Sequence, residues 1–308
     1  MDPLDLHLPR QVGARALEWL DRCHGSLALD PAVPWYEIDE PSLGALAELA
    51  LAAATVRRES VGSPETARTA DRLLAFSWRQ FHEGELLYEL QRQTPAATYP
   101  MEIYSPLAAL GYRHRALDRL LAHLSATRAA QVPEHSPGRR LAVAAAARRI
   151  GLPGHHDLAE LTRRTWLGGV PEPWMLDGRG AHGVTRTVFH LTDRGADPAG
   201  LPAHLQRYLH QWLPAWLQAF TEARSWDLLG ELLAVGACLE QPLFHAEAWA
   251  ALAQAQQADG MLPGGATRPP SGPERAFRSH HPTITAAVAG TLALSRAIGS
   301  PRAAGVAS

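Results

Sequence analysis

A helical periodicity runs through most of this 308-residue chain, and it constrains the fold more than any other feature. Apolar residues recur at every third or fourth position, as they do on the buried face of a helix. In residues 11–23, one face carries Val12, Ala16, Trp19 and Leu20. We find no segment with the strict alternation of a half-buried strand. The sequence therefore predicts an all-α fold.

Glycines, prolines and capping hydroxyls divide this pattern into about 11–12 helices joined by short links. Ser42 is predicted to cap the second helix, since it follows Pro41 and precedes a run of Leu and Ala. A longer loop is expected over residues 259–279, which contain Pro-Gly-Gly and Pro-Pro-Ser-Gly-Pro. The last helix is then predicted to cover residues 282–298.

No charge run or low-complexity linker divides the chain, so we expect a single domain over residues 1–298, followed by a disordered tail over 299–308. Hydrophobic residues make up 46% of the chain, which is typical of a globular protein. The formal net charge of −2 argues against nucleic acid or an anionic membrane as a partner.

Two cysteines, Cys23 and Cys238, are too few and too far apart for a disulfide framework, which favours a reducing compartment. The first residues lack the basic and apolar regions of a signal peptide. The chain also lacks an apolar run long enough to span a bilayer, and Glu48 interrupts the Ala-rich stretch 43–54. We therefore expect a cytoplasmic protein without a membrane partner.

The stretch Gly183–Gly195 carries several polar groups on what reads as an apolar helix. Residues three or four apart share a helix face, so Arg186, His190 and Asp193 form one row. The neighbouring segments are rich in Leu, Ala and Trp, and we therefore expect this row to line an enclosed cavity instead of facing water.

Similar starts, with polar groups at the beginning of an apolar helix, recur at spacings of about 40 to 80 residues. They lie near Glu102, Arg186, Asp227 and His281. Such spacing is typical of stacked helical hairpins, arranged as an open solenoid or as a closed α/α toroid whose inner helices surround a central cavity.

The segment Leu252–Gly260, a Gly-rich loop and then His281–Gly290 resemble the repeat of α/α-toroid enzymes, namely terpene cyclases, protein prenyltransferases and lanthipeptide cyclases. This resemblance implies the closed toroid. More closely, Thr185–Gly195, Trp226–Leu233 and His280–Gly290 resemble an uncharacterised actinobacterial family found near natural-product gene clusters. That likeness spans most of residues 75–297, but it implies no particular activity.

The resemblance to prenyltransferases raises the question of zinc, which needs three or four ligands. His281 stands where the prenyltransferase-like helix has a ligand, but the Asp-Gly-Cys element and the Cys-His pair of the lanthipeptide cyclases are absent. Asp-rich diphosphate motifs, phosphate-binding Gly-rich loops and a serine-hydrolase elbow are absent too. We therefore expect neither a metal nor a cofactor, with a zinc site of His281 and Cys238 as the alternative.

Acid–base chemistry remains, with Asp227, Glu102 and His281 as the predicted catalytic residues. Asp227 and Glu231 lie one helical turn apart, and two carboxylates in a cavity push one pKa upward into the range of a proton donor or acceptor. The predicted substrate-binding residues are Arg186, His190, Asp193, Glu231, Tyr104, Trp226 and His280.

Plainer explanations stay open for several of these residues. Asp227 and His281 are placed where they could simply cap helices. Glu231 could be solvated or paired. Asp193, close to a helix C-terminus, could form a salt bridge with Arg186 or Arg194.

Two classes of function are compatible with the sequence. The first is a metal-independent enzyme of natural-product biosynthesis, a cyclase or lyase, acting on a small polar or anionic intermediate that is free or bound to a carrier protein. Ring closure by intramolecular amine alkylation, or elimination, would release an anionic leaving group to Arg186. The second is a non-catalytic helical scaffold that binds a partner protein in a heteromer, through apolar residues around 84–104.

Overall fold

The computed structural model describes residues 6–132, 134–154, 157–264 and 272–299. These residues form an all-helical structure without strands, as the periodicity predicts. The helices are α1 His7–Cys23, α2 Glu40–Glu59, α3 Pro64–Gln80, α4 Glu85–Gln93, α5 Tyr99–Ala109, α6 Arg115–Ser125, α7 Arg128–Gln131, α8 Pro137–Arg149, α9 Leu158–Arg163, α10 Gly178–Leu191, α11 Ala203–Glu222, α12 Trp226–Cys238, α13 Ala246–Ala255 and α14 Gly272–Gly299.

Helix α2 begins earlier than predicted. Asp39 is its cap, and the Asp39 carboxylate accepts a hydrogen bond of 2.8 Å from the Ser42 backbone N–H. Ser42 and Pro41 therefore lie inside the first turn, where the missing N–H of proline has no cost. The prediction of Ser42 as the cap is therefore wrong. Asp39 takes that position, where its carboxylate also interacts favourably with the helix dipole.

The longest helix also begins earlier than predicted. Helix α14 starts at Gly272, so the predicted loop 259–279 is helical over its last eight residues, and Pro282 lies inside the helix instead of near its start. A proline in a helix interior removes only one backbone hydrogen bond, and packing along the rest of α14 outweighs that loss. The helix ends at Gly299, and the remainder of the predicted tail lies outside the described residues.

Six helices pack against one another in a closed cycle. In order, α14 contacts α2, α2 contacts α5, α5 contacts α8, α8 contacts α10, α10 contacts α12, and α12 contacts α14. Other helices pack on members of this cycle: α1 on α14, α3 on α2, α9 on α8, and both α11 and α13 on α12. We refer to the six as the ring helices.

The C-terminal ends of four ring helices converge. Arg58 near the end of α2 and Arg149 at the end of α8 both contact Asp193, which lies two residues after the end of α10. A side chain at Gly195 would come within 3.4 Å of the Cys238 sulfur at the end of α12. The C-terminal ends of these four helices therefore lie close together.

One contiguous apolar core extends from α1 to α14 among the described residues, from Val12 to Ala293. None of the described helices is both long enough and apolar enough to cross a membrane. The single domain over residues 1–298 stays a prediction.

Candidate functional site

Four ring helices, α2, α10, α12 and α14, line a cavity of about 140 Å³ together with the turn that follows α10. Its apolar lining consists of Leu51, Ala52, Phe189, Ala234, Ile284 and Val288. Its polar lining consists of Glu48, Thr185, Arg186, Arg194, Glu231, His281 and Thr285. Ionisable groups are thus concentrated in one small cavity, where electrostatic interactions are stronger than in bulk water.

Glu231 on α12 is the most enclosed carboxylate of the cavity, with a side chain only 13% exposed. One of its oxygens accepts hydrogen bonds from the Thr185 hydroxyl at 2.5 Å and from His182 Nδ1 at 3.2 Å. His281 Nε2 lies 3.4 Å from its other oxygen. Burial alone would raise the pKa of Glu231, but its hydrogen bonds to His182, His281 and Thr185 outweigh burial and hold the pKa far below its usual range.

His281 on α14 lies between two carboxylates. Its Nδ1 is 2.9 Å from Glu48 Oε2, and its Nε2 faces Glu231. Burial lowers the pKa of an imidazole, but the two carboxylates raise the pKa of His281 to about 10. His281 is therefore an imidazolium at neutral pH, donating one N–H toward each carboxylate.

Glu48 on α2 is the more accessible carboxylate, with a side chain 41% exposed. Its Oε2 faces His281 at 2.9 Å and His280 Nε2 at 3.4 Å. Burial opposes ionisation, but the two histidines lower the pKa of Glu48 to about 2. Its other oxygen, Oε1, makes no hydrogen bond with any described residue, so it is available to a ligand.

Imidazoles and carboxylates thus alternate along one line: His182, Glu231, His281, Glu48 and His280. We call this line the charge chain. At its far end, the hydrogen bond to Glu231 outweighs burial and raises the pKa of His182. The charge chain connects α10, α12, α14 and α2. Its two carboxylates and His281 are charged at neutral pH.

Two arginines supply positive charge to the same cavity. Arg186 is exposed at its edge, and the Arg194 guanidinium lies 4.7 Å from the centre of the Phe189 ring. Burial and repulsion from Arg149 lower the pKa of Arg194 to about 10, so it remains charged at neutral pH. Neither guanidinium makes a hydrogen bond or an ion pair with a residue that the structure describes. A guanidinium that lines a cavity without such a partner is suited to binding an anion.

The structure brings together four of the residues predicted from sequence. Arg186, Glu231 and His281 line the cavity, and His280 joins them through Glu48. The open question about Glu231 is settled in favour of pairing, and His281 is part of a charged cluster instead of a simple helix cap.

Tyr104 and Glu102 lie elsewhere, on α5. The Tyr104 hydroxyl donates to Asp118 at 2.7 Å and accepts from the His114 backbone N–H at 2.9 Å. Burial is the main reason why the pKa of Tyr104 is raised to about 12. Glu102 pairs with Arg139 at 3.2 Å. Both residues connect neighbouring helices and do not line the cavity.

Asp193 and His190 also lie outside the cavity lining. Asp193 pairs with Arg149 and with Arg58. The alternative explanation, a salt bridge with Arg186 or Arg194, is therefore correct about pairing but wrong about the partner. Burial and the nearby charge of Arg194 lower the pKa of His190 to about 3, so its ring is neutral.

Asp227 and Trp226 stand in the first turn of α12 and do not line the cavity either. The Asp227 carboxylate makes no hydrogen bond with a described residue. It contributes through its charge, which helps to raise the pKa of His182.

Three residues of the site were not predicted as functional: Glu48, His182 and Arg194. A signal existed for Glu48, the one carboxylate within a long Leu/Ala stretch, and for His182, one helical turn before Arg186. Arg194 was considered only as a salt-bridge partner for Asp193.

The alternative zinc site of His281 and Cys238 finds no support in the geometry. Cys238 lies at the end of α12, where burial raises the pKa of its thiol to about 12 and keeps it protonated. Within the described residues, no three or more His, Cys, Asp and Glu side chains are arranged to hold a metal ion.

Comparison with known proteins places the chain in a family but assigns it no activity. No curated protein and no solved structure shows significant similarity to it. The model of one family, described as a domain of unknown function (DUF6895), matches residues 13–291. That range contains the ring helices from α2 through residue 291 of α14, and with them every residue of the charge chain. The chain therefore belongs to the DUF6895 family.

Proposed function

We propose that this protein is an enzyme that performs acid–base chemistry on a small anionic molecule held in the cavity between α2, α10, α12 and α14. One observation carries the proposal: the carboxylates of Glu48 and Glu231 and the imidazolium of His281 line the same 140 Å³ cavity as two guanidiniums that form no ion pair or hydrogen bond with a described residue. Isolated buried charges are costly to a fold, and such groups concentrate at functional sites.

We also propose that the ring helices are the inner ring of an α/α toroid. Two observations support this arrangement: the closed cycle of contacts among the six helices, and the convergence of the C-terminal ends of α2, α8, α10 and α12. In a toroid the cavity lies on the axis of the ring, which is a usual place for a ligand between helices.

Glu48 is the proposed proton acceptor, because its Oε1 is available while Oε2 is held by the two histidines. A carboxylate with a pKa of about 2 is a weak base. A bound anion raises the pKa of a neighbouring carboxylate by repulsion, so the substrate itself would move Glu48 toward the range in which general bases work best.

His281 and Glu231 are proposed to hold Glu48 in place and to balance charge during the proton transfer. The imidazolium of His281 stabilises the ionised form of Glu48, and Glu231, fixed by Thr185 and His182, keeps His281 protonated and oriented. These groups act through Glu48 and are positioning residues.

Ring closure by intramolecular amine alkylation is one concrete reaction. The amine nitrogen forms a new bond to carbon while the bond from that carbon to the leaving group breaks. The leaving group departs with its electron pair as an anion, which Arg186 stabilises. The proton of the resulting ammonium passes to Glu48. An elimination would use the same groups, with Glu48 taking a proton from carbon, so a cyclase or lyase of natural-product biosynthesis fits the site.

A scaffold that binds a partner protein is the second candidate, and a separate observation favours it. Trp174 and Met175 are adjacent large apolar side chains that are 77% and 65% exposed. Solvent exposure of this kind marks protein-binding surfaces when it forms a patch. The large exposed apolar residues of the described chain lie outside the predicted region 84–104.

Solvent-deuterium exchange tests the enzymatic proposal before the full reaction is known. Wild-type protein is incubated in D₂O with a panel of small amino, hydroxy and halo carboxylates, and NMR spectroscopy detects deuterium entering C–H positions or the appearance of ring and alkene products. Since a positioned base contributes about 100- to 10,000-fold, we expect Glu48→Gln to lose at least 100-fold in rate.

Glu102→Gln serves as the matched control, because Glu102 was also predicted to be catalytic but lies outside the cavity lining. It should react at the wild-type rate. Equal rates for wild type and Glu48→Gln would refute the role of Glu48. Binding of a partner protein that depends on Trp174, without any turnover, would favour the scaffold.

A further inference from the structure

The turn Asp193–Gly195, which follows α10, has an unusual backbone. All three residues have positive φ angles, 45° for Asp193, 52° for Arg194 and 81° for Gly195. Residues with side chains rarely adopt this conformation, and it persists only where the surrounding structure imposes it. We call these three residues the floor turn, because they lie where the C-terminal ends of the ring helices converge.

Arg58 of α2 holds the backbone of the floor turn. Its Nη1 donates to the Asp193 carbonyl at 2.9 Å and its Nη2 donates to the Arg194 carbonyl at 2.8 Å. Arg58 is itself fixed by Glu59, at 2.9 Å, and Glu59 accepts a hydrogen bond of 2.5 Å from Ser295 of α14.

Arg149 of α8 holds the side chain of the floor turn. It forms an ion pair with the Asp193 carboxylate and donates a hydrogen bond of 2.8 Å to the Ser105 hydroxyl on α5. The turn is therefore connected to four other ring helices, α2, α14, α8 and α5, by side chains that do not themselves line the cavity. These contacts, which we call the clamp, fix the backbone of Arg194. They leave its guanidinium without an ion pair among the described residues.

The charges of the cavity do not balance. Among the described residues that line it, three cations, Arg186, Arg194 and the protonated His281, face two carboxylates, Glu48 and Glu231. One positive charge is therefore left over, and a bound monoanion would neutralise it. The volume of about 140 Å³ limits the size of that ligand, since an engineered apolar cavity of about 150 Å³ accommodates benzene.

We propose that Arg194, set in position by the floor turn and its clamp, binds the anionic group of a compact monoanionic ligand such as a small carboxylate. This inference deepens the proposed function, since the ligand would be the substrate of the acid–base site. Binding is nevertheless measurable without turnover. The apolar lining, which includes Leu51, Ile284 and Val288, would contact the carbon skeleton of the ligand.

The first test uses acetate as the monoanion and acetamide as an uncharged molecule of nearly the same shape. Isothermal titration calorimetry in a buffer without other small anions should show saturable binding of acetate and none of acetamide. Arg194→Met should weaken acetate binding at least tenfold, and Arg194→Lys should retain part of it. Failure of wild type to bind acetate, or equal binding by Arg194→Met, would overturn the inference.

The second test separates ligand binding from a purely structural role of Arg194. Without acetate, Arg194→Met should have an equal or higher melting temperature than wild type, because it removes a partly buried charge that lacks a carboxylate partner among the described residues. Arg149→Met is the matched control and should melt lower, because Arg149 pairs with Asp193. A melting temperature for Arg194→Met as low as that of Arg149→Met would assign Arg194 a structural role.

The outcomes also separate this inference from the proposed function. Acetate binding that depends on Arg194, without any proton transfer that depends on Glu48, would support the anion site and refute the enzyme. Proton transfer that depends on Glu48, with acetate binding that does not depend on Arg194, would support the enzyme and refute the anion site.

Discussion

Replacing His281 by glutamine tests the energetics of the charge chain, since His281 lies between both carboxylates. At about 1.4 kcal/mol for each pKa unit, a rise from 6.5 to about 10 corresponds to about 5 kcal/mol of stabilisation. The side chain is 32% exposed, so solvent screening reduces this value, and we expect about 2–3 kcal/mol. Because the pKa of the folded state lies above that of the unfolded state, the contribution is fully present below about pH 6.5 and is lost as the pH rises toward 10.

Urea unfolding of wild type and His281→Gln at pH 6, 8 and 10.5 measures this difference directly. The loss of unfolding free energy should be largest at pH 6, intermediate at pH 8 and close to zero at pH 10.5. His204→Gln, on the exposed surface of α11, provides a control whose effect should be small at each pH. A loss that does not vary with pH, or that grows toward pH 10.5, would refute the charge assigned to His281.

Two further predictions concern structural features around the site. Tyr104→Phe should lower the free energy of unfolding by about 1–3 kcal/mol in urea titrations, because it leaves the His114 N–H and Asp118 without their shared partner; no change would show that water replaces the hydroxyl. Gly195→Ala should destabilise the protein more than Gly111→Ala when melting temperatures are compared. Both glycines have positive φ, but a methyl group at Gly195 comes within 3.4 Å of Cys238 while nothing lies within 4 Å at Gly111, so equal losses would contradict the tight packing of the floor turn.

Local sequence patterns were sufficient to predict the helical fold and part of the site. Arg186, Glu231 and His281 stand out because each is a charged or titratable side chain close to a run of apolar residues, and all three line the cavity. Burial of such groups is expensive without compensation, so their presence in apolar segments already indicates a shared environment.

The rest of the site depends on contacts between distant parts of the chain. Glu48 and His281 are 233 residues apart in sequence, and no periodicity indicates that they meet. The predicted row of Arg186, His190 and Asp193 assumed that the helix continues, but α10 ends at Leu191. The positive φ of Asp193 then directs its carboxylate toward Arg149 instead of the cavity.

Tyr104 was predicted to bind substrate, and it shows again that a sequence pattern does not reveal the partners of a side chain. A tyrosine near the start of an apolar helix has one sequence pattern whether its hydroxyl faces a cavity or a neighbouring helix. Here Asp118 and the backbone of His114, on and before α6, supply partners within hydrogen-bonding distance. These two partners satisfy the hydrogen bonds of the Tyr104 hydroxyl without any ligand.

Nitrogen-15 NMR spectroscopy of His281 at pH 8, assigned with His281→Gln, tests the central claim most directly. We predict chemical shifts of an imidazolium with both nitrogens protonated, and a change in those shifts on saturation with acetate in wild type but not in Arg194→Met. A neutral imidazole at pH 8, or an imidazolium whose shifts acetate leaves unchanged in wild type, would contradict a charged chain that faces a bound monoanion.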